Sequence, residues 1–407
     1  MKDHTFQDCV KCTVCTAYCP MAAVTPFYIG PKQAGPDGER YRLKDKSFYD
    51  YALKYCLNCK RCEVACPSGV RIGDIIAKAK LDSPSFKPGL REWVLANTDL
   101  MGSLAVPFSR ALNPILGLDV SKKMMDGILG IDHRRQFPAY AKETFEHWYR
   151  RKAAKAQKRF SKQVYYYHGC YANYNNPALA QDLLKILNAC GYGVQLLKGE
   201  KCCGVALISN GLGAQARRQA KANLAALRKA DGPVLTTSST CTMTLRDEYA
   251  HVLGLDNANV RDNITLALKF LSEKVDSGEI RLAFRSDYQK HIAYHTSCHM
   301  ERLGWWIYSL NLLRMIPGVR LDVLESVCCG ISGTFGFKKE NYELSQEIGR
   351  KLFDQIRDAQ PEIVATGCET CKWQIEMSIG FEVQNPVSIL AEALDIEETT
   401  RLNAARP

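Results

Sequence analysis

Long apolar stretches are missing from the 407-residue sequence. No run reaches the eighteen or so uninterrupted apolar residues that a bilayer-spanning helix requires. The most apolar region, Leu100 to Leu118, is interrupted by Pro107, Arg110 and Pro114, which favours a segment at an interface or in a core. The first residues, MKDHTFQDC, are polar, so we expect neither a signal peptide nor a transmembrane helix.

Several patterns typical of binding proteins are also absent. The formal net charge is +11, but no Cys–His zinc-finger pattern and no RNA-binding aromatic motif accompanies the basic residues. Nucleic acid is therefore not an expected partner. No GxGxxG motif follows the first predicted strand, which argues against a dinucleotide site.

Cysteine, in contrast, is abundant, with 18 residues in the chain. A protein that is not exported stays in a reducing compartment, where disulfides rarely persist. Dense cysteine in such a protein indicates metal or redox chemistry.

Two segments share one cysteine spacing, CVKCTVCTAYCP from Cys9 to Pro20 and CLNCKRCEVACP from Cys56 to Pro67. The pattern C-x2-C-x2-C-x3-C-P is typical of bacterial ferredoxins with two [4Fe–4S] clusters, in which the fourth cysteine binds the other cluster. We therefore expect crossed ligation, with one cluster held by Cys9, Cys12, Cys15 and Cys66 and the other by Cys19, Cys56, Cys59 and Cys62. Zinc is the alternative, but it would need only two cysteines from each segment.

The second half of the chain contains an internal repeat. YYYHGC at Cys170 matches AYHTSC at Cys298, KCCGVA matches VCCGIS, and VLTTSSTC at Cys241 matches IVATGCETC at Cys368. These anchors lie 126 to 128 residues apart, so we interpret the region as a duplication. Short β-branched or aromatic runs alternate with amphipathic helical patterns, which predicts parallel sheets with ligands at the carboxyl ends of the strands.

The two copies of this CCG repeat differ in their cysteines. The second copy offers more thiolates than a simple cubane takes, namely Cys298, Cys328, Cys329, Cys368 and Cys371. In the first copy, CTMT is interpreted as placing Thr244 where CETC has Cys371, which leaves Cys170, Cys202, Cys203 and Cys241. This ligand count leaves a cubane, a zinc ion or no metal open. Cys190 has no counterpart and is interpreted as a buried helix cysteine.

The overall fold class that these patterns predict is multidomain α/β. We expect a small ferredoxin-like, helical module for two clusters over 1–80, a helical connector over 81–163, the CCG copies over 164–285 and 286–395, and a tail over 396–407. Gly30 to Asp45 is rich in Gly, Pro and charge and predicts an ordered loop. The connector ends in RRKAAKAQKRFSK, Arg150 to Lys162, which is either a solvated helix face or a contact for anionic lipid or an acidic partner.

Two ferredoxin-type segments followed by two CCG copies resemble the iron–sulfur subunits that accompany heterodisulfide reductases, glycolate oxidase and glycerol-3-phosphate dehydrogenases. The resemblance covers nearly the whole chain. Within that superfamily, the segment from Gly30 to Asp45 and the motifs NTDLMGS, IDHRR, CCGISGTFGFKKENY and CETCKWQIEMS are similar to the C-subunit family of anaerobic glycerol-3-phosphate dehydrogenases.

This resemblance implies a non-catalytic electron-transfer subunit at the cytoplasmic face of the inner membrane. It would take electrons from the flavin-containing catalytic subunits A and B of the same dehydrogenase, pass them to the membrane quinone pool and anchor the dimer. The resemblance also implies that the five cysteines of the second copy hold a further, non-cubane [4Fe–4S] assembly. The alternative is a reductase whose catalytic cluster lies in that copy.

Some residues beside the cysteines are further candidates. His168, His295 and His299 could pass protons, although side chains of this kind more often form structural hydrogen bonds. Trp305 and Trp306 could line a quinone pocket, although adjacent aromatic residues more often pack in a core.

Overall fold

The structure, a computed structural model, describes residues 5–404. It begins with a small helical module in which short helices follow the cysteine-containing loops. Its helices are Phe6–Asp8, Val14–Ala17, Pro20–Val24, Gln33–Asp37, Gly38–Arg42, Asp50–Leu53, Arg61–Val64 and Ile72–Asp82. Pro20 occupies the first turn of its helix, where the missing N–H costs nothing. Met21, Leu53 and Ile72 are fully buried and form the core between the two cysteine segments.

The prediction of a loop from Gly30 to Asp45 is wrong, because most of this segment is helical. Its glycines serve close packing. A Cβ on Gly38 would lie 2.7 Å from the guanidinium of Arg42, and a Cβ on Gly35 would lie 2.9 Å from Ile72. The space allows Arg42 to be buried and to donate hydrogen bonds to the carbonyl groups of Ala34 and Phe48.

The connector is helical, with Leu90–Ala96, Thr98–Ala105, Val106–Phe108, Ser109–Gly117, Asp119–Leu129, Phe145–Trp148, Tyr149–Ala153 and Ala154–Gln157. We call the large apolar side chains of residues 98–129 that are more than half exposed the apolar face. These side chains are Leu104, Phe108, Leu118, Val120, Met124 and Ile128. Within residues 5–404, no helix is both long and apolar enough to cross a membrane.

Each CCG copy contains a sheet of four parallel strands, as predicted. In the first copy the strands are β1 Lys162–Tyr166, β2 Tyr192–Leu196, β3 Val234–Thr236 and β4 Ile264–Leu266, in the order β2-β1-β3-β4. In the second copy they are β5 Lys290–Tyr294, β6 Val319–Val323, β7 Ile363–Ala365 and β8 Val383–Gln384, in the order β6-β5-β7-β8. The equal orders and directions support the duplication. The order reverses beside β1 and β5, which creates the crevice where such sheets bind ligands.

Helices cover both sheets and join the two copies. In the first copy they are Tyr171–Asn175, Pro177–Ala189, Val205–Ser209, Gly213–Leu227, Ser239–Met243, Thr244–Glu248, Tyr249–His251, Ala258–Arg261 and Ala267–Asp276. In the second they are Cys298–Leu303, Trp306–Arg314, Phe335–Phe337, Lys339–Asn341, Tyr342–Ala359, Glu369–Ile379, Pro386–Ala393 and Ile396–Ala404. Leu183 of the first copy and Leu390 of the second are fully buried in one common core, so the copies pack against each other.

Candidate metal centres

The two ferredoxin-type segments have the same local backbone. Lys11 and Thr13 in the first segment have positive φ angles of 58° and 64°, and Asn58 and Lys60 have 54° and 63° at the equivalent positions of the second. A left-handed conformation at a non-glycine residue costs about 1–3 kcal/mol. The same unfavourable turns in both segments curve the chain so that successive cysteines lie on one side.

The first set of thiols contains cysteines from both segments. Burial raises the pKa of the Cys15 thiol, and negative charge on Cys66, Cys9 and Cys12 raises it further. These four side chains therefore lie together, and Cys12 among them is exposed. The amide of Val70 donates a hydrogen bond to Cys66 Sγ at 3.3 Å.

The second set contains Cys19, Cys56, Cys59 and Cys62. Burial raises the pKa of Cys62 well above its usual value, and the charges of Glu63 and of the other three cysteines act in the same direction. Burial also raises the pKa of Cys19, with Cys59 and Cys56 as its neighbouring charges. This set lies deeper in the module than the first.

In the first CCG copy, four thiols form a chain of contacts. Cys202 Sγ lies 3.6 Å from Cys170 Sγ. Cys202 also contacts Cys203, and Cys203 contacts Cys241. Gly204 has a φ of +90°, which glycine adopts readily and which directs the chain into the next helix.

The second copy repeats this chain of contacts and extends it by one thiol. Cys298 contacts Cys328, Cys328 contacts Cys329, and Cys329 contacts Cys371. The extra thiol is that of Cys368, which lies against Cys371. At Gly330, with φ +89°, a Cβ would lie 2.0 Å from the carbonyl oxygen of Ser345, so only glycine fits.

The assignment of Thr244 to the position of Cys371 is wrong. Ser238 and Cys368 are the N-cap residues of equivalent helices, and the amide three residues later bonds to the Ser238 hydroxyl in one copy and to the Cys368 thiol in the other. Cys241 is thus the counterpart of Cys371, and Ser238 replaces Cys368. Thr244 lies one turn farther on, where its hydroxyl donates to Glu248. The paired letters TC in SSTC and CETC could have revealed this correspondence.

These thiol sets fit iron–sulfur clusters. Their members are mutually close and mostly buried, so thiolates would repel one another without a positive partner. Contact with Cys329 and Cys368, together with burial, raises the pKa of Cys371 well above its usual value. Iron ions would remove that repulsion, and soft thiolate donors suit iron–sulfur clusters or zinc. The amide of Gly330 adds a hydrogen bond of 3.4 Å to Cys328 Sγ.

The ferredoxin-type module is attached to both CCG copies by buried polar contacts. Lys60 Nζ is fully buried, 2.5 Å from a carboxylate oxygen of Asp74 and 3.2 Å from one of Glu248 in the first copy. Arg61 pairs with Glu301 of the second copy at 2.7 Å. The charged residues between the cysteines therefore fix the position of the module.

The thiols of both copies face one cavity. Ser239 and Ser297 are in hydrogen-bond contact at 3.0 Å across the boundary between the copies, and the Ser238 hydroxyl donates to Glu369 at 2.9 Å. The cavity at this boundary has a volume of about 580 Å³. The cysteines that line it are Cys59, Cys170, Cys202, Cys203, Cys241, Cys298, Cys328, Cys329, Cys368 and Cys371.

The remaining sequence candidates have varied surroundings. His299 bridges the module and the first copy, through the Asn58 carbonyl at 3.0 Å and Thr240 at 3.2 Å. His295 is fully buried, and burial lowers its pKa to about 4. His168 contacts the Gly169 carbonyl. Trp305 packs under the cations of Arg246 and Lys269 and does not line the cavity. Cys190 is buried at the end of its helix.

The connector contributes to the thiol sets in a way that the sequence did not predict. The Cys202 amide donates to an Asp99 carboxylate oxygen at 2.7 Å, and Thr98 lines the same cavity as Cys202. Burial and the charge of Cys202 raise the pKa of Asp99 to about 7. Both residues belong to the motif NTDLMGS, which carries no sign of contact with a cysteine 103 residues away.

Two domain families match the chain. The 4Fe-4S dicluster domain matches residues 5–70, and the cysteine-rich domain CCG matches residues 164–246 and 292–376. These regions contain all the thiol sets described above. The chain therefore carries iron–sulfur and CCG domains.

Similar proteins include subunits of three oxidoreductases. The chain is 54% identical over 398 residues to the C subunit of anaerobic glycerol-3-phosphate dehydrogenase of Escherichia coli (strain K12), and the alignment covers 97% of this chain and 100% of that protein. It is 26% identical to the glycolate oxidase iron-sulfur subunit of the same organism, over 97% and 96% of the two chains. It is 27% identical to the D subunit of the dihydromethanophenazine:CoB–CoM heterodisulfide reductase of Methanosarcina barkeri, over 57% and 59%.

Proposed function

Because this chain belongs to the C-subunit family of anaerobic glycerol-3-phosphate dehydrogenases, we propose that it conducts electrons from flavin-containing catalytic subunits A and B to the membrane quinone pool. The family is a subunit of a dehydrogenase with further subunits, and the 4Fe-4S dicluster domain makes this chain its iron–sulfur subunit. The bound clusters would supply single-electron transfer. The residues of this chain hold them, separate them from solvent and fix their spacing.

We assign two [4Fe–4S] clusters to the module over 1–80, with the crossed ligand sets given above. A third [4Fe–4S] assembly belongs to the five thiols of the second CCG copy over 286–395. The donor sets and the closeness of the thiols within each set support these assignments. The first copy, over 164–285, has Ser238 in place of the fifth thiol and is assigned a structural role beside the connector over 81–163.

One observation carries the direction of electron flow. Cys59 and Cys298 are neighbours in the lining of the cavity, so the second set of the module borders the second CCG copy. No cysteine of the first set lines the cavity, and this set includes the exposed Cys12. Electrons from the flavin subunits therefore enter beside Cys12 and leave through the cavity between the copies.

Contact with the membrane is assigned to the connector. The apolar face exposes large side chains on consecutive short helices, which suits a helix pair lying in the bilayer interface. The exposed basic side chains of residues 150–159 would add attraction to anionic lipids. The segment thus supports peripheral attachment at the inner membrane without a spanning helix.

The test uses the full chain with its clusters and the purified flavin subunits under anaerobic conditions. Glycerol 3-phosphate should bleach the visible absorbance of the clusters only when the flavin subunits are present. Bleaching should be followed by recovery when a quinone is added. Flavin reduction without any change in the cluster absorbance would reject the proposal.

A further inference from the structure

The cavity between the CCG copies is lined by a second group of residues besides the thiol sets. This part of its wall is apolar and comes from the connector. The wall residues include Val94, Leu95, Met101, Ala105, Leu112 and Leu116. Iron–sulfur clusters are held by cysteine thiolates, which this wall does not offer. The wall is instead typical of a pocket for an organic ligand. The whole cavity, with the space beside the thiols included, has a volume of about 580 Å³.

The mouth of the cavity coincides with the apolar face. Leu104 and Phe108 line the cavity and are also 60% and 71% exposed to solvent. They therefore form its rim. A ligand carried in a lipid phase that covers the apolar face could enter here without crossing water, since both the surface and the wall are apolar.

The lack of cationic Lys or Arg side chains in the described lining of the cavity disfavours anionic ligands. None of the described residues that line the cavity is Lys or Arg. A phosphate ester, a nucleotide or a carboxylate-bearing disulfide would lose its hydration there without gaining a cationic partner. A neutral, flat and apolar molecule with a few hydrogen-bond acceptors fits the lining better.

A hydrogen-bond donor is available inside this pocket. Tyr140 lines the cavity near Cys170, and within residues 5–404 its hydroxyl makes no hydrogen bond. The backbone of Tyr140 is fixed by two hydrogen bonds with the side chain of Asn113, at 2.8 and 2.9 Å. The phenol is thus held in place with its O–H free to donate to a carbonyl oxygen.

We propose that this cavity binds the ring of a lipid quinone, with the ring between the connector wall and the thiols and the isoprenoid tail leaving between Leu104 and Phe108. Tyr140 would donate to one quinone oxygen. The inference rests on the proposed function and adds to it the place where the quinone binds.

The experiment uses the full chain with clusters, reduced anaerobically and mixed rapidly with a water-soluble naphthoquinone. Two electrons from the reduced chain and two protons from the buffer convert each quinone to its quinol. The rate should saturate with quinone concentration. Leu112→Trp should raise the half-saturating concentration at least about tenfold by steric exclusion. Tyr140→Phe should raise it about two- to tenfold, as expected for one hydrogen bond.

Two matched controls accompany these variants. Ala111→Trp places the same side chain on the exposed neighbour of Leu112, outside the cavity lining, and should behave as the unmodified chain. Tyr165→Phe removes a hydroxyl that bonds to Asp231 at 2.8 Å, also outside the lining, and should do the same. Iron content is measured for every variant. If Leu112→Trp loses iron, the proposal is tested by Tyr140→Phe and by the labelling experiment described next.

A photoreactive azido-naphthoquinone gives a second measurement that is independent of electron transfer. Its label should map to residues 94–116 and should be lost with Leu112→Trp. If quinone reoxidises the chain with a saturable rate, the variants show the same half-saturating concentration and the label maps elsewhere, the cavity is not the quinone site. The proposed function would then remain intact. No reoxidation of the unmodified chain by any quinone would instead reject delivery to quinone, and the cavity proposal with it.

Discussion

The thiol of Cys59 lies beside the thiol of Cys298, and both line the cavity between the CCG copies. One belongs to the second ferredoxin-type segment and the other to the second CCG copy, 239 residues later. The contact is held on one side by Arg61 with Glu301, and on the other by His299 with the Asn58 carbonyl. The cysteine sets of the module and of the second copy thus come together at these two sulfurs, where electron transfer would be fastest.

The assembly in the second copy can be tested by removing one ligand. Cys328→Ser should lower the iron content by about four per chain and remove one EPR signal. Cys190→Ser is the control, because Cys190 is buried at a helix end with no role in any thiol set. Unchanged iron in Cys328→Ser would show that this copy holds no cluster.

The crossed ligation predicts which losses of iron overlap. Cys12→Ser and Cys66→Ala should each remove about four irons, and the double variant should remove no more. Cys12→Ser combined with Cys62→Ala should remove about eight, since these residues belong to different sets. If each segment instead held its own cluster, Cys66→Ala and Cys62→Ala would remove the same set of about four irons. The iron losses of Cys66→Ala and Cys12→Ser would then add up. Iron and sulfide analysis of the anaerobically purified chains distinguishes the two patterns.

Much of the architecture could be predicted because it depends on local signals. Cysteine spacing, the duplication and the alternation of strands with helices are each visible within short stretches. The role of Ser238 was missed because it follows from a helix cap, and counting residues between cysteines placed Thr244 in the wrong register. The helical form of Gly30 to Asp45 depends on the burial of Arg42, and the cavity depends on contacts between distant segments. Such tertiary effects leave no periodic signal.

The corrected register predicts the effect of restoring the fifth thiol. Ser238→Cys should give the first copy the ligand set of the second and raise the iron content by about four per chain. Thr244→Cys should add no iron, because Thr244 lies one turn beyond the thiols and bonds to Glu248. If only Thr244→Cys gained iron, Thr244 would be the counterpart of Cys371 after all.

The buried Lys60 predicts a large effect on stability. Lys60→Gln leaves the Glu248 carboxylate without its cation and Asp74 with only the more distant Arg71, and breaking a buried pair in this way costs about 3–5 kcal/mol. The midpoint of anaerobic urea unfolding should fall clearly, whereas Lys46→Gln on the surface should leave it unchanged. Adding Asp74→Asn to Lys60→Gln should recover part of the loss. A midpoint equal to that of Lys46→Gln would mean that the pair does not hold the module in place.

The proposed contact of the apolar face with a membrane predicts how variants of the chain bind to lipid vesicles. Phe108 and Ile128 are 71% and 74% exposed, and burying such side chains contributes about 1.5–3 kcal/mol each. The double variant Phe108→Glu with Ile128→Glu should lower the fraction that floats with vesicles of anionic lipid at least about tenfold. Val323→Glu changes an exposed apolar residue of the second copy and should have no effect. Replacing residues 150–152 with Glu should weaken flotation on anionic vesicles and leave binding to neutral ones unchanged. Flotation that survives the double variant would show that the apolar side chains contribute nothing. If flotation is then lost in the 150–152 variant on both vesicle types, attachment is assigned to the basic segment alone.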